Sequence, residues 1–160
     1  MNIYDFAMQM EKDGENYYRE LSGKCGNKGL TNILNMLADE EVKHYEIIRK
    51  MKVKTPKLTE TKILENVKNV FAKMKDQKEG FNFEASQKEF YAKAQDLEKQ
   101  SEDFYSSKSK EAEEKDKKET FTKLAEEEKR HFIILDNIIE FIGRPESWLE
   151  DAEFNHLEEY

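Results

Sequence analysis

Turn-forming and strand-forming residues are scarce in this chain of 160 residues. It has six Gly and two Pro, which leaves few positions for tight turns. It also has only four Val and six Thr, which disfavours sandwiches, barrels and parallel sheets. Glu accounts for 26 residues, and charged residues make up 39% of the sequence. Composition therefore leaves two interpretations, long helices or disorder, and hydrophobic periodicity has to decide between them.

Cysteine and long apolar segments are also nearly missing. The single cysteine, Cys25, excludes an intrachain disulfide, a C-x-x-C redox pair and a thiolate-rich metal site. No apolar run approaches the roughly 18 residues of a membrane span, and the first ten residues do not resemble a signal peptide. The net charge of -8 disfavours binding to nucleic acid or to an anionic membrane surface. We therefore expect a cytoplasmic protein.

The sequence contains an internal repeat with an offset of 87 residues. The segment MEKDGENYY at 10–18 aligns with LEKQSEDFY at 97–105, and LADEEVKH at 37–44 aligns with LAEEEKRH at 124–131, without a gap between the matches. The repeat predicts two helical hairpins, at about 2–51 and 86–142, that pack into a four-helix bundle. The crossover at 52–85 would then travel the length of the bundle, roughly 30 Å for 20-residue helices.

Hydrophobic spacing supports the helices of both hairpins. The second helix has apolar residues at intervals of three and four, and Glu41 and His44 occupy two positions of the same stripe. Glu128 and His131 do the same in the fourth helix. The third helix, near 86–109, has a poor stripe, so its assignment depends on the repeat. Within the crossover, apolar spacing from Ile63 to Met74 predicts a shorter amphipathic helix.

The end of the chain is predicted to be a separate short tail. Gly143 followed by Pro145 indicates the end of the last long helix. One bundle domain would therefore cover 1–145, and an amphipathic tail at 146–160 would cover one end of the bundle or make a dimer contact. Its apolar residues are Trp148, Leu149, Phe154 and Leu157. His156 has no counterpart in the repeat and is interpreted as a surface residue.

Two of the three histidines lie in Glu-x-x-His motifs at equivalent positions of the repeat. The spacing of three places both side chains on one helix face, about 5–6 Å apart. Each motif also has a Glu 30 residues before its own Glu, at a position on or beside an apolar stripe. Two lone carboxylates facing two such pairs form the ligand set of a dinuclear metal site in a four-helix bundle. The predicted ligands are Glu11, Glu41, His44, Glu98, Glu128 and His131.

Charge neutralisation supports a metal site over an unoccupied cluster. Burial of four carboxylates without compensation costs several kcal/mol each, whereas two divalent ions offset four negative charges. Carboxylate and imidazole ligands without thiolate favour iron or manganese, with zinc as a further alternative. The alternative without metal places these Glu residues on a solvated face and treats His44 and His131 as hydrogen-bonded core residues.

Several neighbouring residues receive weaker assignments. Tyr18 and Tyr105 follow Glu11 and Glu98 by two helical turns, where each phenol is predicted either to hydrogen-bond a ligand carboxylate or to pack in the core. Four further carboxylates are interpreted as surface or rim charges. They are Glu15, Glu40, Glu102 and Glu127.

Through these motifs, residues 1 to about 142 resemble the rubrerythrin branch of the ferritin-like superfamily. The resemblance implies an all-α fold: a ferritin-like antiparallel four-helix bundle of two repeated hairpins, whose six predicted ligands hold two iron ions. It also implies an oxidoreductase that reduces hydrogen peroxide, and dioxygen as an alternative substrate. The electrons would come from a separate donor protein such as rubredoxin, since the chain resembles only the bundle domain. We expect a homodimer.

One position departs from the family pattern. Rubrerythrins carry a further carboxylate one turn after the Glu of the third helix, whereas this chain has Ser101 there and Gly14 at the equivalent position of the first hairpin. A more symmetrical site follows, and two other functions stay open. One is a ferroxidase or iron-handling protein, and the other is a non-enzymatic, metal-stabilised bundle. The crossover permits hairpins that pair within one chain or exchange between chains.

Overall fold

The long helices begin where side chains can satisfy their free amide groups. In the computed structural model, which describes residues 2–56, 61–77, 81, 83–84 and 87–150, Oδ1 of Asn2 accepts a hydrogen bond from the amide of Asp5 at 2.9 Å. Oδ1 of Asn27 does the same for the amide of Leu30, also at 2.9 Å. These N-caps start the first and second helices. Gly26, at φ +67°, makes the left-handed turn between them.

Six helices account for most of the described residues, and no strand occurs among them. The first hairpin is α1 (Ile3–Lys24) and α2 (Lys28–Met51), and the second is α4 (Gln87–Glu111) and α5 (Lys115–Gly143). Between them lies α3 (Ile63–Gln77), and α6 (Pro145–Glu150) follows the second hairpin. The expected four-helix bundle with a short helix in the crossover is confirmed. Within the described part of the chain, no helix is both long and apolar enough to cross a membrane.

The two hairpins pack against each other within one chain. Helix α1 packs mainly along α2 and α4 mainly along α5, and α1 contacts α4 while α2 contacts α5. The weak apolar stripe of α4 is consistent with its composition, because its buried positions include Gln95, Glu98, Ser101 and Ser109. The repeat was therefore the better guide to this helix.

The interior consists of two apolar clusters separated along the bundle. The larger apolar cluster contains Leu30 to Ala38 of α2, Ile133 to Ile142 of α5 and the buried face of α3. The smaller apolar cluster contains Ile48 and Met51 of α2 together with Phe121 and Leu124 of α5. Between the two, α2 and α5 each present a short run of buried polar residues. The sequence thus places a polar layer in the middle of an otherwise apolar bundle.

Helices α3 and α6 pack against the larger apolar cluster. Trp148 is 2% exposed, and its ring centroid lies 4.6 Å from that of Phe71 and 5.9 Å from that of Phe141. Leu149 is buried as well. Phe154, His156 and Leu157, also assigned from the sequence, lie outside the described residues.

Candidate metal centre

The polar layer brings together all six residues predicted as metal ligands. One carboxylate comes from α1 and one from α4, while α2 and α5 each contribute a Glu and a His. Each side chain is almost fully enclosed, with exposed fractions between 0 and 3%. The residues are Glu11, Glu41, His44, Glu98, Glu128 and His131.

The six residues form two overlapping groups of four. In one group the ligand atoms of Glu11, Glu41, His44 and Glu128 all lie within 4.8 Å of one another. In the other, the same limit holds for Glu41, Glu98, Glu128 and His131. Glu41 and Glu128 belong to both groups. Each group could hold a metal ion, and the two shared carboxylates could bridge a pair of ions.

The two histidines contribute equivalent atoms from opposite sides of the layer. Nδ1 of His44 lies 2.7 Å from Oε1 of Glu128 and 3.5 Å from Oε2 of Glu11. Nδ1 of His131 lies 3.4 Å from Oε1 of Glu41 and 3.4 Å from Oε1 of Glu98. The two imidazole rings are nearly parallel, with centroids 5.6 Å apart. Both Nδ1 atoms therefore face carboxylate oxygens across the centre of the bundle.

Most of these facing atoms have no hydrogen-bond partner, although they are buried. They include Nδ1 of both histidines, and even the 2.7 Å approach of His44 to Glu128 lacks hydrogen-bond geometry. Buried polar atoms are nearly always paired, and an unpaired one costs about 1–3 kcal/mol. The unpaired carboxylate atoms are Glu11 Oε2, Glu41 Oε1, Glu98 Oε2 and both oxygens of Glu128. All these atoms are oxygen or imidazole nitrogen, the donors that iron and manganese accept, so the residues fit a metal pair.

Electrostatics divides the four carboxylates into two kinds. Burial and the repulsion of the other carboxylates raise the pKa of Glu41 and Glu128 well above the usual value. Burial also opposes ionisation of Glu98, but the positive charge of the nearby His131 and the hydrogen bond from Tyr18 outweigh it and lower the pKa to about 2. Burial is likewise outweighed at Glu11, where His44 lowers the pKa. The electrostatic repulsion among the carboxylates therefore acts mainly on the two shared residues, and positive ions between them would relieve it.

Each tyrosine predicted from the repeat donates a hydrogen bond to the lone Glu of the opposite hairpin. The hydroxyl of Tyr105 on α4 donates to Oε1 of Glu11 on α1 at 2.6 Å. The hydroxyl of Tyr18 on α1 donates to Oε1 of Glu98 on α4. Both tyrosines are buried. The phenols therefore fix Oε1 of each lone carboxylate, while Oε2 of each has no hydrogen-bond partner.

The assignment of Glu40 and Glu127 to the surface or rim is wrong. They are only 4% and 5% exposed. Oε1 of Glu127 lies 2.9 Å from Nε2 of His44, on the side of the ring away from the site. Such a carboxylate fixes the orientation of a ligand imidazole. The signal was present in the sequence, because both residues precede a Glu of a Glu-x-x-His motif at equivalent positions of the repeat.

The second histidine is held less closely than the first. Oε1 of Glu40 lies 3.9 Å from Nε2 of His131, a distance too long for a hydrogen bond. Glu40 instead accepts a hydrogen bond from the hydroxyl of Thr61, and its other oxygen lies 3.4 Å from Nζ of Lys43. Thr61 belongs to the crossover, which occurs only once in the chain. The two halves of the site are therefore less equivalent than the repeat predicts.

Glu15 and Glu102 lie at the rim, as predicted. Their side chains are 19% and 22% exposed and face basic residues on the same helix. Glu15 approaches Arg19 at 3.5 Å, and Glu102 approaches Lys99 at 3.5 Å. Neither belongs to the two groups of potential ligands.

A cleft between α1 and α4 leads from the surface to the polar layer. Its volume is about 670 Å³, and Glu41 and Glu98 form part of its lining. Ser101, at the position where the resemblance implies a further carboxylate, and its repeat counterpart Gly14 both line it. A Cβ atom on Gly14 would lie 3.0 Å from Oε2 of Glu41. Small side chains at these two positions thus leave the carboxylates accessible from the cleft.

The fold and the site agree with a comparison to known protein families. The family model described as Rubrerythrin matches residues 2–139. No curated protein and no solved structure matches the chain at a significant level. The family match covers most of the sequence and includes all six potential ligands. This chain therefore belongs to the rubrerythrin family of ferritin-like helical bundles.

Proposed function

We propose that the chain is a di-iron oxidoreductase that reduces hydrogen peroxide, and dioxygen as an alternative oxidant. The observation that carries the proposal is the pair of four-residue groups that share Glu41 and Glu128. Shared carboxylates would keep two ions adjacent, as a two-electron reduction requires. Family membership favours iron among the metals that this ligand set accepts. The electrons would come from a separate donor protein such as rubredoxin.

When bound, a ferrous pair would supply two electrons that convert one peroxide molecule and two protons into two water molecules. The protein would contribute position and enclosure. His44 and His131 provide neutral ligands, and Glu127 orients the ring of His44. The two apolar clusters lie on either side of the polar layer and exclude bulk water from it.

Access of the oxidant would occur through the cleft between α1 and α4. Oε2 of Glu41 lies beside Gly14, and Glu98 and Ser101 also line this opening. The hydroxyls of Tyr18 and Tyr105 hold the lone carboxylates from the opposite hairpin and keep them in place as the oxidant approaches. Peroxide would thus reach the site without displacing a ligand side chain.

A ferroxidase or iron-handling protein is the second candidate. Ser101 favours it, because rubrerythrins use a carboxylate at that position in the redox-linked movement of an iron. Without that group the same six residues would bind ferrous iron as a substrate and release it after oxidation. A structural metal in a non-enzymatic bundle is the third candidate.

Anaerobic loading of the metal-free protein with ferrous iron tests the proposal. Bound iron is counted, and the loaded protein is challenged in parallel with peroxide and with dioxygen while the oxidised iron is measured. Two irons per chain and faster oxidation by peroxide are the expected results. Continued uptake beyond two irons would support iron handling instead, and bound metal that reacts with neither oxidant would support the structural role.

Substitution separates the proposed site from the rest of the acidic surface. Glu41→Ala and His131→Ala should each abolish binding of the full metal pair and peroxide turnover. Glu46→Ala is the matched control, since Glu46 lies on the same helix as Glu41 but has a side chain that is 46% exposed and paired with Arg49. Full turnover in both site variants would show that the proposed site is wrong. The mass in solution is a further check, because the expected dimer cannot enclose a mineral core.

A further inference from the structure

The cleft between α1 and α4 is built from equivalent positions of the two hairpins. Met10 on α1 faces the cleft together with its repeat counterpart Leu97 on α4. Tyr17 and Phe104 form a second such pair. Most of the lining surface is apolar. The cleft is thus an apolar entrance that lies on the pseudo-two-fold axis of the bundle.

The inner end of the cleft is polar and the outer end is aromatic. Glu41 and Glu98, each 3% exposed, line the inner end beside Ser101, which is 7% exposed. At the outer end, Phe6 is half exposed, and its ring centroid lies 5.1 Å from that of Phe104. A ligand would therefore meet apolar and aromatic surface along its body and hydrogen-bond acceptors at its inner tip.

The size of the cleft exceeds the need of hydrogen peroxide. A water molecule takes up about 30 Å³ in the liquid, and peroxide is only slightly larger, whereas the cleft measures about 670 Å³. Sites for small organic ligands occupy roughly 300–1,000 Å³ and combine apolar walls with a few polar groups. The cleft matches that description, with its polar groups at the end nearest the proposed metal pair.

The charges along the cleft select against anionic ligands. Its acidic residues are Asp13, Glu41, Glu98 and Asp103, and its basic residue among the described lining is Lys108. Lys108 is itself 2.9 Å from a carboxylate oxygen of Glu111. A ligand with a carboxylate or phosphate group would meet like charge, which raises the free energy of binding.

We propose that this cleft binds neutral organic hydroperoxides, with the apolar group along the walls and the terminal –OOH at Glu41 and Glu98. The inference rests on the proposed peroxide reductase function and names a substrate class for that same site. The O–O bond breaks as two electrons from the separate donor protein and two protons are consumed, so that ROOH yields ROH and water. The –OOH group donates a hydrogen bond, which suits a cleft that ends in carboxylate acceptors.

Binding is tested first in the metal-free protein with cumyl alcohol, the unreactive product of cumene hydroperoxide. NMR spectra of the protein should show saturable shifts confined to residues that line the cleft. Met10→Trp and Leu97→Trp fill opposite walls and should each weaken binding by at least about tenfold, since a filled apolar pocket excludes its ligand. Val42→Trp, at a site 40% exposed and outside the cleft, is the size-matched control and should bind normally.

The reaction is tested in iron-loaded protein with cumene hydroperoxide and hydrogen peroxide in parallel. Both should be reduced, and Met10→Trp should lower kcat/KM for cumene hydroperoxide about tenfold more than that for hydrogen peroxide, because the smaller oxidant needs less of the cleft. Reduction of hydrogen peroxide alone would overturn this inference and leave the proposed function standing. Failure with both oxidants would overturn the proposed function as well.

Two further outcomes would overturn the inference at the binding stage. One is an absence of shifts in the cleft at saturating cumyl alcohol. The other is a change in the sedimentation mass of Met10→Trp and Leu97→Trp with unaltered alcohol binding, which would identify this face as a contact between copies of the chain. Circular dichroism of each variant checks that the helices are retained. If one of the two variants fails to fold, the other still tests the cleft from its opposite wall.

Discussion

Tyr105 on α4 donates a hydrogen bond of 2.6 Å to Glu11 on α1, so that a residue of the second hairpin fixes a potential metal ligand of the first. In the equivalent bond, Tyr18 of the first hairpin donates to Glu98 of the second. The two bonds connect the hairpins directly through the polar layer. They also couple the packing of α1 against α4 to the geometry of the site.

Tyr105→Phe should destabilise the metal-free protein by about 1–3 kcal/mol, because a buried carboxylate loses its donor. It should also weaken metal binding by about 10–100-fold. Denaturant unfolding and competition with a metal chelator measure the two effects. Tyr45→Phe is the control, since Tyr45 lies on α2 outside the potential ligand groups. Equal metal affinity in the two variants would contradict the assigned role of Tyr105.

Glu127→Ala should lower metal affinity by about 10–100-fold, because Nε2 of His44 loses the carboxylate that orients the ring. Glu127→Gln retains an acceptor oxygen and should recover part of the loss. Glu126→Ala removes an exposed neighbour on the same helix and should leave the affinity unchanged. Titration with Co²⁺, followed by absorbance, reports both affinity and ligand geometry. An unaltered titration in Glu127→Ala would show that the contact does not support the site.

Metal removal should lower the temperature of thermal unfolding. A ligand that binds only the folded protein stabilises it by about 2.7 kcal/mol at a concentration one hundred times its Kd. The carboxylates of the polar layer add a reason specific to this chain, since bound metal ions would offset the burial and mutual repulsion that raise the pKa of Glu41 and Glu128. Calorimetry with and without a chelator measures the shift. Identical unfolding temperatures would mean that the cluster holds no metal in the folded state.

The contribution of Glu40 to stability should depend on pH in the metal-free protein. Burial opposes ionisation of this carboxyl, but the nearby His131 and the hydrogen bond from Thr61 outweigh it and lower the pKa from 4.5 to about 2. A folded-state pKa below the unfolded one stabilises the protein above about pH 4.5, and the effect is lost as pH falls towards 2.

The difference in unfolding free energy between the wild type and Glu40→Gln should therefore be largest near neutral pH and shrink below about pH 4.5. Denaturant unfolding across this pH range measures it. Glu20→Gln, at an exposed site on α1, should show little of this dependence. A constant difference from pH 7 to pH 2.5 would contradict the assigned ionisation of Glu40.

Phe71→Ala should destabilise the fold by about 3–5 kcal/mol without changing the metal stoichiometry. Phe71 is fully buried on α3 and contacts Phe141 and Trp148 at one end of the bundle. It therefore joins the crossover and α6 to the larger apolar cluster. Phe90→Ala, at a site 46% exposed, should cost much less. Unfolding titrations and metal analysis of both variants separate core stability from the site.

Much of the fold and the potential ligand set was accessible from the sequence because both depend on local spacing. Hydrophobic periodicity placed Glu41 and His44 on one helix face, and the 87-residue offset supplied the same pair at Glu128 and His131. The repeat also indicated α4, which its own composition scarcely did. Such patterns report which residues share a face of one helix.

Tertiary structure alone decided how those faces meet. Three contacts join residues that are far apart in sequence. They are the hydrogen bond from Tyr105 to Glu11, the contact between Glu127 and His44, and the hydrogen bond from Thr61 to Glu40. The register between separate helices is set by side-chain packing over the whole bundle, which no local period encodes. Local spacing along the chain therefore specifies which residues can form the polar layer, and packing determines their partners, their inequivalence and the cleft that leads to them.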